Sequence, residues 1–87
     1  MMTEQQANAV YDILVRVCGA SETERQSFVI HQTTEDVTEW RFCGSLGFGG
    51  KFWHNAGRIY VNCYREDETP ERLKCIEEAN KSLGALR

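Results

Sequence analysis

The sequence predicts an α+β domain in which two helices precede a three-stranded antiparallel meander and one helix follows it, the helices packing on one face of the sheet. Three observations carry this. Apolar residues recur at helical spacing from Ala7 to Cys18 and again from Leu73 to Leu83, the period changes to two between Val37 and Tyr64, and helix-start signals stand at Thr3, Ser21 and Thr69. At 87 residues the chain is read as one domain, 1–87. A domain of this size buries only about 60 to 65 per cent of the surface its unfolded chain exposes, which leaves no room for a deep pocket. With 41% hydrophobic and 26% charged residues, the composition is that of a folded globule and not of a disordered segment.

The first helix starts from a capping box, in which the Thr3 hydroxyl and the Gln6 amide each satisfy a backbone N–H of the opening turn. Val10, Tyr11, Leu14, Val17 and Cys18 form its apolar face, and Gly19 supplies a left-handed stop. Ser21 and Glu24 repeat the capping signal, so a second, shorter helix is expected to run to about His31, packing through Phe28 with Ile30 as a further contact. The polar stretch at 32–36 reads as a linker. In the first strand, Val37 to Cys43, Trp40 and Phe42 point one way while Glu39, Arg41 and Cys43 point the other.

The second strand, about Gly50 to His54, contains two large neighbours, Phe52 and Trp53, of which only one can face the core. Asn55-Ala56-Gly57 has the form of a three-residue hairpin loop with a G1 bulge. The third strand, Arg58 to Tyr64, sets Ile59, Val61 and Cys63 inward against Arg58, Tyr60, Asn62 and Tyr64 outward. Thr69 then caps the last helix, with Pro70 at its first position; Leu73, Ile76, Asn80 and Leu83 mark its inner stripe and Gly84 its end.

Function is best sought in the distribution of charge. Residues 40–65 hold two tryptophans, two tyrosines, three phenylalanines and four of the ten basic residues, whereas all 13 acids lie elsewhere in a chain of net charge −3. Folded, this segment makes one locally basic, aromatic side. With Phe52 inside, the open face carries Arg41, Lys51, Trp53, Arg58, Tyr60 and Tyr64; the opposite register exchanges Lys51 and Trp53 for Phe52 and His54. Tyr, Trp and Arg in this mixture suit a protein interface, with a partner or a second copy of the chain. Nucleic acid is the alternative, with the aromatics as stacking platforms and Arg41, Lys51, Arg58 and Arg65 as phosphate partners. The element order also matches double-stranded RNA-binding domains, but those grip phosphates from a lysine-rich start to the last helix, and here that start reads EDETPERLK.

Catalytic and cofactor signals are weak. Cys18, Cys43, Cys63 and Cys75 are spaced by 25, 20 and 12 residues, without the close pair a structural zinc site uses, so they are expected to be free thiols, with zinc through His31 or His54 and a disulfide as minor alternatives. Cys43 or Cys63 with His54 would be an activated nucleophile, but strand alternation gives neither a clear place on the face of His54. The run Gly44 to Lys51 departs from the phosphate-loop pattern at Ser45 and Phe52 and leads into a strand, so it reads as a turn, with an anion nest as the alternative. No cofactor and no metal are expected, and the chain reads as a non-catalytic binding domain. The opening MMTEQQANAV lacks the basic start and apolar core of a signal peptide, and no segment spans a bilayer, so a cytoplasmic location is expected.

The stretch RFCGSLGFGGKFWHNAGRIYVNCYREDETPER, at 41–72, resembles the core of small proteins of unassigned activity encoded by bacteriophages and prophages. That resemblance implies a small accessory protein that binds a host or phage macromolecule. It implies no catalytic residue.

Overall fold

The computed structural model describes residues 1–43, 49–55, 58–64, 66 and 68–86, with the side chain of Asn55 excepted. Helix α1 spans Glu4–Cys18, a 3-10 turn spans Glu22–Glu24 and α2 spans Arg25–Thr34. Strands β1 (Glu39–Cys43), β2 (Gly49–Asn55) and β3 (Arg58–Cys63) follow, and α3 (Pro70–Gly84) closes the fold. The sheet is antiparallel in the order β1-β2-β3, as the alternation predicts.

Capping chemistry sets the helix ends. The Thr3 hydroxyl accepts from the Gln6 N–H while the Gln6 amide accepts from the Thr3 N–H, both halves of the expected box. Gly19 closes α1 at φ 70°, a conformation that costs a residue with a Cβ about 1 kcal/mol or more. The Thr69 hydroxyl accepts from the Arg72 N–H, and Pro70 occupies the first position of α3, where its missing donor costs nothing.

The core joins the inner faces of the helices to one face of the sheet. Phe28 of α2 sits at its centre, with ring centroids 5.1 Å from Tyr11, 5.1 Å from Phe52 and 6.0 Å from Trp40. Phe42, Phe52, Val61 and Cys63 are buried from the sheet side, and Ile76, Ala79 and Leu83 from α3. Phe52 is fully buried, which decides the register: Lys51 and Trp53 belong to the open face. At Gly50 an added Cβ would come 2.4 Å from the Asn62 carbonyl and 3.1 Å from the Phe42 ring, so this position tolerates no side chain.

Four expectations need correction. Residues 32–34 continue α2 and are not a linker, and β1 begins at Glu39 instead of Val37. Ile30 is 48% exposed, because α2 turns Phe28 and Gln32, one helical turn apart, to the core and so puts Ile30 outside. Leu73 is 45% exposed for a reason of length. Asn80 stands beside Val61, and Leu73 lies about 10 Å further along the helix axis, past the end of β3 at Cys63. The glycine-rich turn at 44–48 and the hairpin glycine at 57 lie outside the described residues.

Candidate binding face

The register fixes what the open face carries. Across the three strands, Glu39, Trp53 and Tyr60 form one row and Arg41, Lys51 and Asn62 the next, with Arg58 beside the hairpin and Tyr64 at the far end over Gly49. All six expected side chains, Arg41, Lys51, Trp53, Arg58, Tyr60 and Tyr64, therefore lie on the one side the helices leave uncovered. Arg41 and Arg58 are exposed, and the other four are half-buried.

Trp53 and Tyr60 are stacked, with centroids 5.5 Å apart and planes inclined by 25°. Such a cross-strand aromatic pair contributes about 0.5–1.5 kcal/mol beyond its buried area and orders both rings against each other. Arg58 donates to the Tyr60 hydroxyl at 3.4 Å, and this bond raises the pKa of an already charged guanidinium. Tyr64 is differently placed: its ring lies on the bare backbone of Gly49, where an added Cβ would come 2.9 Å from Cε2. It is packed down, not presented edge-up to solvent.

One charged residue of this face is missing from the six expected contacts. Glu39 stands one position before the acid-free window, and alternation puts it on the open face. Its carboxylate lies 3.7 Å from Arg41 Nε and 4.0 Å from Lys51 Nζ. Exposed pairs of this kind add little stability, about 0–1 kcal/mol, but they place a negative charge among the cations. The signal was available in the period-two pattern, since Glu39 and Arg41 share parity.

Two depressions accompany this arrangement. A shallow one of about 510 Å³, lined by Thr38, Glu39, Lys51, Trp53, His54 and Asn62, belongs to the face. A more apolar one of about 270 Å³ lies between the start of α1 and the strand ends, lined by Met1, Met2, Gln6, Val10, Ile59 and His54 among others. Its volume falls just below the range usual for small-molecule sites. Neither brings a cysteine to His54. Cys63 pairs with Gly50, four residues along β2 from His54 and so about 13 Å away, and Cys43 lies on the opposite face of the sheet.

No disulfide joins the four cysteines; Cys18 and Cys63 are buried, Cys75 half-buried and Cys43 exposed. Among the described residues no three His, Cys, Asp or Glu side chains converge on a metal position. Nor is any helix among them long and apolar enough to cross a membrane. Arg65 lies outside the described residues. No family model matches this chain, and neither a curated protein nor a solved structure is found similar to it.

Proposed function

We propose that this protein is a non-catalytic binding domain that contacts another protein, or a second copy of itself, through the open face of its sheet. The observation that supports the reading is the Trp53–Tyr60 stack beside Arg58, with Glu39 set among Arg41 and Lys51. Ordered aromatics and arginine with mixed charge are the chemistry of a protein hot spot. A phosphate track needs uncompensated cations, and here two of them already have an acidic neighbour. The resemblance over residues 41–72 supports a phage or prophage origin, and with it action in the bacterial cytoplasm on a host or phage macromolecule.

Nucleic-acid binding is the second reading, favoured by the same residues, since aromatic rings flanked by guanidinium also accept bases. The two readings separate by salt. Labelled single-stranded and duplex DNA and RNA are titrated with the protein at about 50 and 200 mM salt, a range over which several phosphate contacts lose orders of magnitude in affinity. The protein reading expects no binding that fades with salt. Binding at low salt that fades at high salt and with Arg58→Ala overturns it in favour of nucleic acid.

A further inference from the structure

The two edges of the sheet are treated differently. On β3 the Asn80 amide occupies the outward backbone groups of Val61, accepting from its N–H at 3.0 Å and donating to its carbonyl at 3.1 Å. That edge is closed to another strand. Because Val61 turns its N–H and C=O away from β2, its cross-strand partner Phe52 must turn its own toward β1. The His54 N–H, two residues on, donates to the Thr38 carbonyl at 3.2 Å and so agrees with this parity. Trp40 is thus the residue of β1 bonded to Phe52, and the backbone groups of Glu39 and Arg41 on either side of it point outward from the sheet. Among the described strands, none pairs with that edge.

Charged side chains on a strand edge normally discourage pairing by bringing like charges together. Glu39 and Arg41 do the reverse in one arrangement. When two copies of β1 meet antiparallel about a two-fold axis at Trp40, Glu39 of each copy lies opposite Arg41 of the other. The parity above makes these the hydrogen-bonded positions, so four backbone hydrogen bonds and two opposite-charge pairs form together. Both residues are exposed, 51% for the Glu39 side chain and 68% for Arg41.

We propose that β1 is a homodimerisation edge, joining two chains into a six-stranded sheet through antiparallel β1–β1 pairing with Glu39 set against Arg41 of the second copy. Such a two-fold lies perpendicular to the sheet, so both open faces point the same way and the two Trp53–Tyr60 stacks share one surface. The row across the seam runs Tyr60, Trp53, Glu39, then Arg41, Lys51 and Asn62 of the second copy. This pairing uses the strand edge and stands whether or not the open face binds a further partner.

The test is sedimentation equilibrium of the protein alone over about a hundredfold range of concentration, with circular dichroism confirming that each variant is folded. The wild type is expected to reach a dimer. Arg41→Glu places Glu opposite Glu at both symmetric positions and is expected to weaken the dimer about tenfold or more. Glu39→Arg combined with Arg41→Glu exchanges the charges and is expected to restore it. Trp53→Ala is expected to leave the dissociation constant unchanged, which separates edge pairing from association through the face. A monomer at every concentration overturns the proposal. So does a dimer that the single charge change leaves intact, that the exchange fails to restore, or that Trp53→Ala dissolves.

Discussion

The side-chain amide of Asn80 makes both of its hydrogen bonds to a single residue, Val61, reading the edge of β3 as a neighbouring strand would. This one contact pins α3 to the sheet and explains why a polar residue interrupts the inner stripe of that helix. Asn80→Asp keeps the shape but sets a carboxylate oxygen against the Val61 carbonyl. It is expected to lower stability by about 1–3 kcal/mol at neutral pH, measured by urea unfolding, with part of the loss recovered when acid protonates the new carboxyl and restores a donor. Equal stability at neutral pH would show that the contact contributes nothing.

Arg25 joins α2 to α1 in a comparable way. Its guanidinium meets Asp12 at 2.7 Å and Glu22 at 2.8 Å, donates to the carbonyl and side chain of Asn8, and lies 5.0 Å over the Tyr11 ring. With the side chain only 24% exposed, these bonds are better shielded than a surface pair. The bond to Glu22 holds Arg25 charged and pulls the Glu22 carboxyl below its usual range. Arg25→Met is expected to cost about 1–3 kcal/mol, read as a lower thermal midpoint. Arg25→Lys is expected to lose a good part of the same, because an ammonium cannot fork between Asp12 and Glu22.

Gln32 is 1% exposed, and among the described residues neither its amide nitrogen nor its oxygen has a hydrogen-bond partner. A buried amide in that state opposes folding. Gln32→Met conserves volume and removes the orphaned groups, so it is expected to raise stability by about 1 kcal/mol or more in urea unfolding. A loss of stability instead would mean that the amide is satisfied in solution.

Alkaline pH should expose the core. Burial, then the neighbouring Cys75 and Cys63 thiols, push Cys18 from its ordinary 9.0 up to about 12. Burial, then the Glu24 and Glu22 carboxylates, push Tyr11 from 10.0 to about 12. Below pH 9 folded and unfolded chains both keep the Cys18 proton, so stability is at its full value. Above that the unfolded chain releases protons that the folded chain holds, and stability falls as pH rises toward 12. The urea midpoint is expected to drop between about pH 9 and pH 12, and Cys18→Ala to flatten the drop. A midpoint independent of pH over this range would contradict the burial of both groups.

Much of the fold was legible because its signals are local. Thr3, Gly19, Thr69 and Pro70 mark helix ends through their own backbone chemistry, and the alternation of Ile59, Val61 and Cys63 needs no knowledge of distant residues. Phe52 against Trp53 was different, since a one-residue shift exchanges the two faces and only the packing of Phe28 against Phe52 decides it. Leu73 carries helical periodicity that tertiary geometry leaves unused at the end of the sheet, and Ile30, two residues from Phe28, falls on the outside of α2. The members of the candidate face followed from parity. Their organisation did not, because the Trp53–Tyr60 stack, the Arg58 bond and the charge of Glu39 depend on cross-strand register.

The most direct test of a protein-binding face is affinity capture from bacterial lysate with the tagged protein, with and without nuclease, at about 150 and 500 mM salt, spanning ordinary and strong screening. Wild type and Tyr60→Ala are compared side by side, and circular dichroism confirms that both are folded. The account predicts a partner other than the chain itself that nuclease does not release, that survives high salt and that Tyr60→Ala loses. Capture of such a partner that nuclease or salt abolishes, or that Tyr60→Ala leaves unchanged, would contradict it.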